Sequence, residues 1–126
     1  MSYATIAIGE AEQVSSQVLE FLETRKIDTE LAFSHGVHGT HDTLSFSYVK
    51  NGKVVNNKHR KLSQKQFYQD AGGVKCFWNY DVITDNTLKA LPLIIVEGEM
   101  DGLSALTSGY TRVVSVPDGA PTQSLA

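Results

Sequence analysis

The sequence is poor in the features that mark secreted, disulfide-bonded and membrane-spanning proteins. Cys76 is the one cysteine among 126 residues, which excludes an internal disulfide and a cysteine-rich zinc site. The longest apolar run, residues 91–96, is interrupted by Pro92 and is too short to cross a bilayer. The first ten residues lack a basic region followed by a long apolar stretch, so they do not read as a secretory signal. These absences predict a cytoplasmic protein that makes no contact with a membrane.

Strong net charge is also missing, but the charges are unevenly distributed. The formal net charge is −3, whereas residues 43–65 alone carry six bases and no acid. We call residues 43–65 the basic segment. It lies between acidic flanks with net charges of −5 (residues 1–42) and −4 (residues 66–126). Such a segment favours an anionic partner such as nucleic acid, and the alternative is a lysine-rich hairpin that discourages edge pairing.

Two short helices are predicted ahead of the basic segment. Apolar residues recur at spacings of three and four within residues 11–26, which is typical of an amphipathic helix. Asp28 can cap a second helix over residues 29–33. The glycine-rich stretch SHGVHGTH follows and predicts a flexible loop. Its three histidines leave a metal cluster open as an alternative.

Strand periodicity dominates the basic segment. Leu44, Phe46 and Tyr48 alternate with serines, so they are predicted to face the core. The dipeptide Asn51-Gly52 is a strong hairpin signal. The pattern predicts an antiparallel meander with four strands, at residues 43–49, 53–62, 66–69 and 74–78.

The last third of the chain reads as a strand, a helix and a parallel strand. Residues 91–96 are continuously apolar, as in a strand buried on both faces, residues 99–108 have helical character, and residues 112–116 form a second buried strand. A two-stranded parallel sheet has open edges and normally continues, so we interpret the chain as the front part of a longer protein. The alternative is one mixed sheet with the meander. The predicted fold class is α+β, with subdomains at residues 1–85 and 86–126.

Acidic residues cluster where the first parallel strand ends. Glu97 stands at the carboxyl end of the strand, where ligands of open parallel sheets gather. Asp101 follows four residues later, one helical turn along the same side, while Glu99 faces elsewhere. Two carboxylates in this position suit Mg²⁺ or Mn²⁺. The alternative is ordinary helix-start chemistry, because acids in a first turn offset the helix dipole.

Two parts of the sequence resemble a known protein family. LIIVEGEMDGLSAL and YTRVVSVPDGAP resemble the first half of the Toprim module, which primases, topoisomerases and some nucleases share. LEFLETRKIDTELA, LSFSYVKNGKVVNNKHR and KCFWNYDVI resemble the small subdomain that precedes Toprim in phage-type primase-helicases and their mitochondrial helicase relative. The resemblance covers roughly residues 14–121, and it is most specific in the Toprim half.

The resemblance implies roles for individual residues. Glu97 and Asp101 would be catalytic carboxylates that hold the metal, and Gly119 would lie close to the catalytic face. Lys58 and Arg60 would line the path of the template strand or of nucleotide phosphates. The basic segment adds two further predicted phosphate contacts, Lys53 and Lys61.

The implied activity is RNA primer synthesis on single-stranded DNA by metal-dependent nucleotidyl transfer in a full-length parent. Toprim modules need a second acidic motif, and no acid follows Asp118 here, so this chain alone is expected to be inactive. A GxxxxGK[ST] stretch and a zinc module are also missing. The alternatives are a non-catalytic single-stranded DNA-binding module of a replicative helicase and a Toprim-class nuclease.

The same interpretation names partners and a compartment. The expected partners are template DNA, nucleotides, a replicative helicase domain in the same parent chain, and a second copy through exposed strand edges. The compartment would be the host cytoplasm if the protein comes from a phage or prophage. Six aromatic residues are candidates for base stacking: Phe46, Tyr48, Phe67, Tyr68, Phe77 and Trp78.

Overall fold

A computed structural model of the chain describes residues 14–64 and 66–117, and within them the fold is α+β, as the sequence predicts. Three α-helices are present in these two ranges: α1 (Ser16–Thr24), α2 (Thr29–Ser34) and α3 (Glu99–Thr107). Strands β1 (Val37–Thr40), β2 (Thr43–Lys50), β3 (Lys53–Lys61) and β4 (Gln66–Gln69) form an antiparallel sheet in that order. Strands β5 (Ile94–Val96) and β6 (Val113–Ser115) form a separate parallel pair.

Side-chain caps begin the first two helices. The Ser15 hydroxyl accepts a hydrogen bond from the Val18 N–H at 3.2 Å, and the Asp28 carboxylate accepts one from the Leu31 N–H at 3.1 Å. Each cap satisfies a backbone donor that has no partner within the helix. The predicted Asp28 cap is therefore confirmed, whereas the start of the first predicted helix, residues 11–13, lies outside the described residues.

The predicted hairpin is confirmed, and its register gives the four-stranded sheet two different faces. Asn51 and Gly52 form the turn with φ of 55° and 78°, and β2 pairs with β3 on either side. We call inner the face that carries Leu44, Phe46 and Tyr48, which are buried against the helices. Because paired residues share a face, the inner face also carries Lys58, Arg60 and Phe67. The outer face carries Ser45, Ser47, Asn57, His59 and Tyr68.

Two predictions about this sheet are wrong. The stretch predicted as a flexible loop forms β1, in which Val37 pairs with Phe46 and is 2% exposed. Gly39 makes this possible, because a Cβ there would stand 2.1 Å from the Thr43 carbonyl oxygen. Residues 74–78 are not a strand of the meander. The indole of Trp78 is fully buried, and its backbone bridges to Ser115 of β6 with hydrogen bonds of 2.8 and 3.2 Å.

The parallel pair and its helix are confirmed, and the alternative of one mixed sheet is wrong. The two sheets are separate, and Trp78, which lies in neither of them, bridges to Ser115 of β6. The expectation that both strands are buried on both faces is correct for β6 and wrong for β5. Ile95 is 56% exposed, because α3 packs on one side of this short sheet and the Ile95 side chain points away from that side.

Trp78 connects the two halves of the molecule. Its ring meets Phe46 of β2 edge-on with 6.3 Å between centroids, and Gly102 of α3 lies against the indole. A Cβ on Gly102 would stand 3.0 Å from Trp78 Cζ3, so the glycine lets the helix approach the ring. The halves of the chain therefore share one core. Within the described ranges, no helix is both long and apolar enough to cross a membrane.

Candidate nucleic-acid interface and acidic turn

Two free carboxylates stand on the turn between β5 and α3. Glu97 follows the strand and Asp101 lies in the first helical turn, and both are exposed. Gly98 begins the helix in an extended conformation and provides no side-chain cap. The Asp101 Oδ2 atom lies 3.6 Å from the point that a Cβ on Gly98 would occupy, so this carboxylate folds back over the turn. Neither the Glu97 nor the Asp101 carboxylate makes a hydrogen bond or an ion pair with another described residue.

Glu99, the third acid of the turn, is buried and already has a cation. It is 5% exposed, and its Oε2 atom lies 3.0 Å from Lys58 Nζ. The same oxygen accepts a hydrogen bond from the Tyr48 hydroxyl. Tyr48 and Lys58 both belong to the inner face, so this contact holds the start of α3 against the four-stranded sheet. The partners are 51 and 41 residues away in the sequence, which explains why local pattern reasoning missed them.

The turn has the donor chemistry for a divalent cation but not a complete protein site. Within the two described ranges, no group of three or more His, Cys, Asp or Glu residues is placed to hold a metal. Mg²⁺ is commonly held by one or two carboxylates, with water and substrate phosphates filling the other positions. Glu97 and Asp101 fit that pattern, because both are unpaired and reach the same turn. Their predicted roles as metal ligands and catalytic residues stay predictions.

Arg60 lies between two aromatic rings on the inner face. Its guanidinium carbon is 5.0 Å from the Phe21 ring centroid and 5.4 Å from that of Phe67. Arg25 approaches the same Phe21 ring at 4.6 Å, and Phe67 is 53% exposed. Burial lowers the pKa of Arg60, and the nearby charge of Arg25 lowers it further. We call these four residues the arginine cluster; two cations share it, and no acid among the described residues forms an ion pair with either.

Lys58 connects the arginine cluster to the start of α3, although its own contact with Glu99 is buried. Lys58 and Arg60 are alternate residues of β3, so their Cα atoms are about 7 Å apart on the same face. Lys58 Nζ lies 6.0 Å from the Phe67 ring on one side and contacts Glu99 on the other. A continuous path of side chains therefore leads from the arginines of the cluster to the start of α3.

The other predicted phosphate contacts are scattered. Lys53 is exposed at the start of β3, and Lys61 lies on the outer face, opposite to Arg60. The Lys58 side chain is only 11% exposed, so its ammonium is already committed to Glu99. Gly119 lies outside the described residues. These four phosphate-binding assignments stay predictions, and the structure does not bring the ammonium groups of Lys53, Lys58 and Lys61 together.

Five of the six aromatic candidates divide between core and surface, and the sixth, Phe77, is half-buried. Phe46, Tyr48 and Trp78 are buried, as the alternation of β2 predicts for the first two. Phe67 and Tyr68 are 53% and 45% exposed on opposite faces of β4. The exposed rings are therefore the ones available to a nucleobase.

Comparison with known proteins finds relatives in a plant. The chain is 30% identical over 118 residues to Twinkle homolog protein, chloroplastic/mitochondrial, of Arabidopsis thaliana, a match that covers 90% of this chain and 16% of the relative. It is 38% identical over 78 residues to Primase homolog protein of the same plant, covering 62% of this chain and 22% of the relative. No family model matches the sequence. No solved structure matches it either.

The two matches cover most of the described residues and a minor part of each relative. The chain spans less than a quarter of the length of either curated protein. One relative is named as a Twinkle homologue and the other as a primase homologue. The chain is therefore a primase-related region.

Proposed function

We propose that this chain is the nucleic-acid-facing part of a primase-helicase-type replication protein, and that its inner face binds single-stranded DNA beside the acidic turn. The observation that carries the proposal is the Lys58–Glu99 contact, which sets the basic inner face of β3 against the turn that presents Glu97 and Asp101. A phosphodiester strand on the arginine cluster would lie next to these carboxylates.

Charge and geometry support phosphate as the ligand of the arginine cluster. Arg25 and Arg60 repel each other across the Phe21 ring, and a bound anion would relieve that repulsion. The two neighbouring rings restrain the Arg60 side chain, so little side-chain entropy is lost when its donors meet phosphate oxygens. Phe67 adds an exposed ring on which a base can stack.

In the full-length parent, we propose that the function is RNA primer synthesis on a single-stranded template by a Toprim-type site. Glu97 and Asp101 would hold a Mg²⁺ or Mn²⁺ ion, which supplies charge neutralisation at the reacting phosphate. Arg60 and its neighbours would hold and orient the strand. Further acidic ligands would have to come from elsewhere, since the acidic turn offers two free carboxylates.

A second candidate is a non-catalytic single-stranded DNA-binding module. The observation in its favour is that the acidic turn offers two free carboxylates and that, among the described residues, no third acidic ligand joins them. In both cases the proposed partners are single-stranded DNA and a helicase domain in the same parent. One relative is named as chloroplastic/mitochondrial, and the cytoplasmic location stays a prediction for this chain.

Arg60→Ala tests the proposal. We expect the wild-type chain to bind a fluorescently labelled single-stranded oligonucleotide weakly at low salt, and the variant to bind about tenfold more weakly, because one charge-assisted contact to phosphate is lost. Fluorescence anisotropy gives both affinities.

Lys89→Ala is the matched control, because it removes one exposed positive charge that lies outside the basic segment. It should bind within about twofold of the wild type, since a non-contacting charge acts only through screened long-range attraction. Absence of binding by the wild type at low salt, or equal losses in both variants, would show that the arginine cluster is not a phosphate site.

A further inference from the structure

The outer face of the four-stranded sheet carries a connected polar network that the proposed function does not use. His38 Nε2 lies 3.0 Å from Ser47 Oγ, and the Ser47 hydroxyl donates to Asn57 Oδ1 at 2.7 Å. Asn57 Nδ2 in turn donates to Asp70 Oδ2 at 2.8 Å. One side chain from each of three successive strands, β1 to β3, is thus linked to the carboxylate that follows β4.

The other oxygen of Asp70 continues the network through His59. Asp70 Oδ1 lies 2.8 Å from His59 Nε2, and His59 Nδ1 lies 2.7 Å from Ser45 Oγ. A carboxylate that accepts from Asn57 and from His59 is stabilised in its charged form, and these hydrogen bonds lower the pKa of Asp70. Both nitrogens of the His59 ring are therefore occupied, and the plane of the ring is fixed.

Ser45, His59 and Asp70 have the composition of a hydrolytic triad, but their placement does not support catalysis. Ser45 is 4% exposed, so a substrate has no access to its hydroxyl. The serine instead holds the imidazole from one side while Asp70 holds it from the other. The trio is best explained as a device that orients the His59 ring.

The oriented ring supports an exposed tyrosine. Tyr68 of β4 stacks on His59 with 4.8 Å between ring centroids and an angle of 28° between planes. Tyr68 is 45% exposed. Stacked rings attract each other through dispersion and offset quadrupoles, so the tyrosine is held in place before any ligand arrives.

We propose that Tyr68 is a stacking platform for a base of single-stranded nucleic acid, and that the outer face is a second binding surface opposite the arginine cluster. An exposed ring with a lysine nearby argues for this occupant. Asp70 is engaged by Asn57 and His59, while Lys61, two residues along β3 from His59, has no ion-pair partner among the described residues. The face therefore offers an aromatic ring with an unpaired cation about 7 Å further along the strand.

The inference rests on the proposed function, because it assumes a chain that binds single-stranded nucleic acid. The inference adds a second binding surface, on the outer face of the sheet, to the proposed one on the inner face. Tyr68 and Arg60 point to opposite sides of the sheet, so a strand that contacts both must pass around the free edge of β4.

Photocrosslinking with a single-stranded oligonucleotide that contains 5-iodouracil tests the platform directly, because this base crosslinks to aromatic rings on which it stacks. We expect crosslinked peptides that contain Tyr68, identified by mass spectrometry, and we expect Tyr68→Ala to bind about 5- to 100-fold more weakly. Tyr68→Phe keeps the ring and should stay within about twofold of the wild type.

Tyr110→Ala is the control, since Tyr110 is 58% exposed and lies after α3, away from the sheet. Thermal unfolding of each variant by circular dichroism checks that the fold is intact. If Arg60→Ala weakens binding while Tyr68→Ala does not, and crosslinks appear only at Phe67, the outer surface is refuted and the proposed function stands. If the wild-type chain binds no oligonucleotide at low salt, both are refuted.

Discussion

Replacing Glu99 with alanine should destabilise the protein far more than replacing Glu97, although the two acids are two residues apart. Glu99→Ala leaves the Lys58 ammonium buried without a counter-charge, and it removes the hydrogen bond between the Tyr48 hydroxyl and Glu99. Glu97 is exposed and makes no contact of this kind within the described residues. Both substitutions remove a glutamate carboxylate, Glu99 from a buried position and Glu97 from an exposed one.

The expected size of the effect follows from burial. The side chains of Lys58 and Glu99 are 11% and 5% exposed, which places the ion pair in the interior. Breaking a buried pair by removing one partner costs about 3–5 kcal/mol. The free energy of unfolding of a domain is about 5–15 kcal/mol, so Glu99→Ala should remove a large fraction of it. Glu97→Ala should change it by less than about 0.5 kcal/mol.

Urea unfolding followed by circular dichroism measures both values. The double variant Lys58→Met/Glu99→Leu is the internal test of mechanism, because removing both charges also removes the penalty of a lone buried ion. We expect it to be at least about 2 kcal/mol more stable than Glu99→Ala. Equal midpoints for Glu99→Ala and Glu97→Ala would refute the buried pair, and a double variant less stable than the single one would refute the electrostatic explanation.

Two further predictions concern Asp70 and the acidic turn. The hydrogen bonds from Asn57 and His59 keep the pKa of Asp70 below its ordinary value of 3.8, so the stabilisation is present above that pH and is lost as the pH falls through the lower folded value. Asp70→Asn should therefore lower the urea midpoint at pH 7, and its difference from the wild type should shrink as the pH falls below 3.8; a difference that grows as the pH falls would contradict this. At the turn, Mn²⁺ should bind weakly and broaden the amide resonances of residues 97–102, and Glu97→Gln/Asp101→Asn should abolish the broadening. Broadening that survives in that double variant would exclude a metal site at these carboxylates.

Local features of the sequence predicted the fold where neighbouring residues determine it. The hairpin of β2 and β3 follows from alternation and from a dipeptide that tolerates positive φ. Asp28 caps α2 through an interaction within one turn. The strand–helix–strand unit follows from a change of periodicity. In each case the contacting residues are within about twenty positions of each other in the sequence. A local sequence pattern is therefore enough to predict these three features.

Long-range contacts account for what the sequence did not reveal. Strand β1 looks like a loop because of its glycines, and it forms because Val37 pairs with Phe46 and Gly39 permits close approach. Trp78 leaves the meander because the indole finds its packing partners in α3 and β2. Glu99 is buried while Glu97 and Asp101 are exposed, in agreement with the prediction that it faces elsewhere, but its cation comes from a strand 41 residues earlier. Pairing across such distances needs three-dimensional structure.

The salt dependence of single-stranded DNA binding tests the central claim most directly. The logarithm of the association constant should fall linearly with the logarithm of salt concentration, with a slope of about −0.7 for each phosphate contacted. If the arginine cluster holds the strand, Arg60→Ala should make the slope shallower by about 0.7, and Lys89→Ala should leave it unchanged. A slope that is the same for the wild type and Arg60→Ala would contradict the claim that the inner face binds the phosphate backbone.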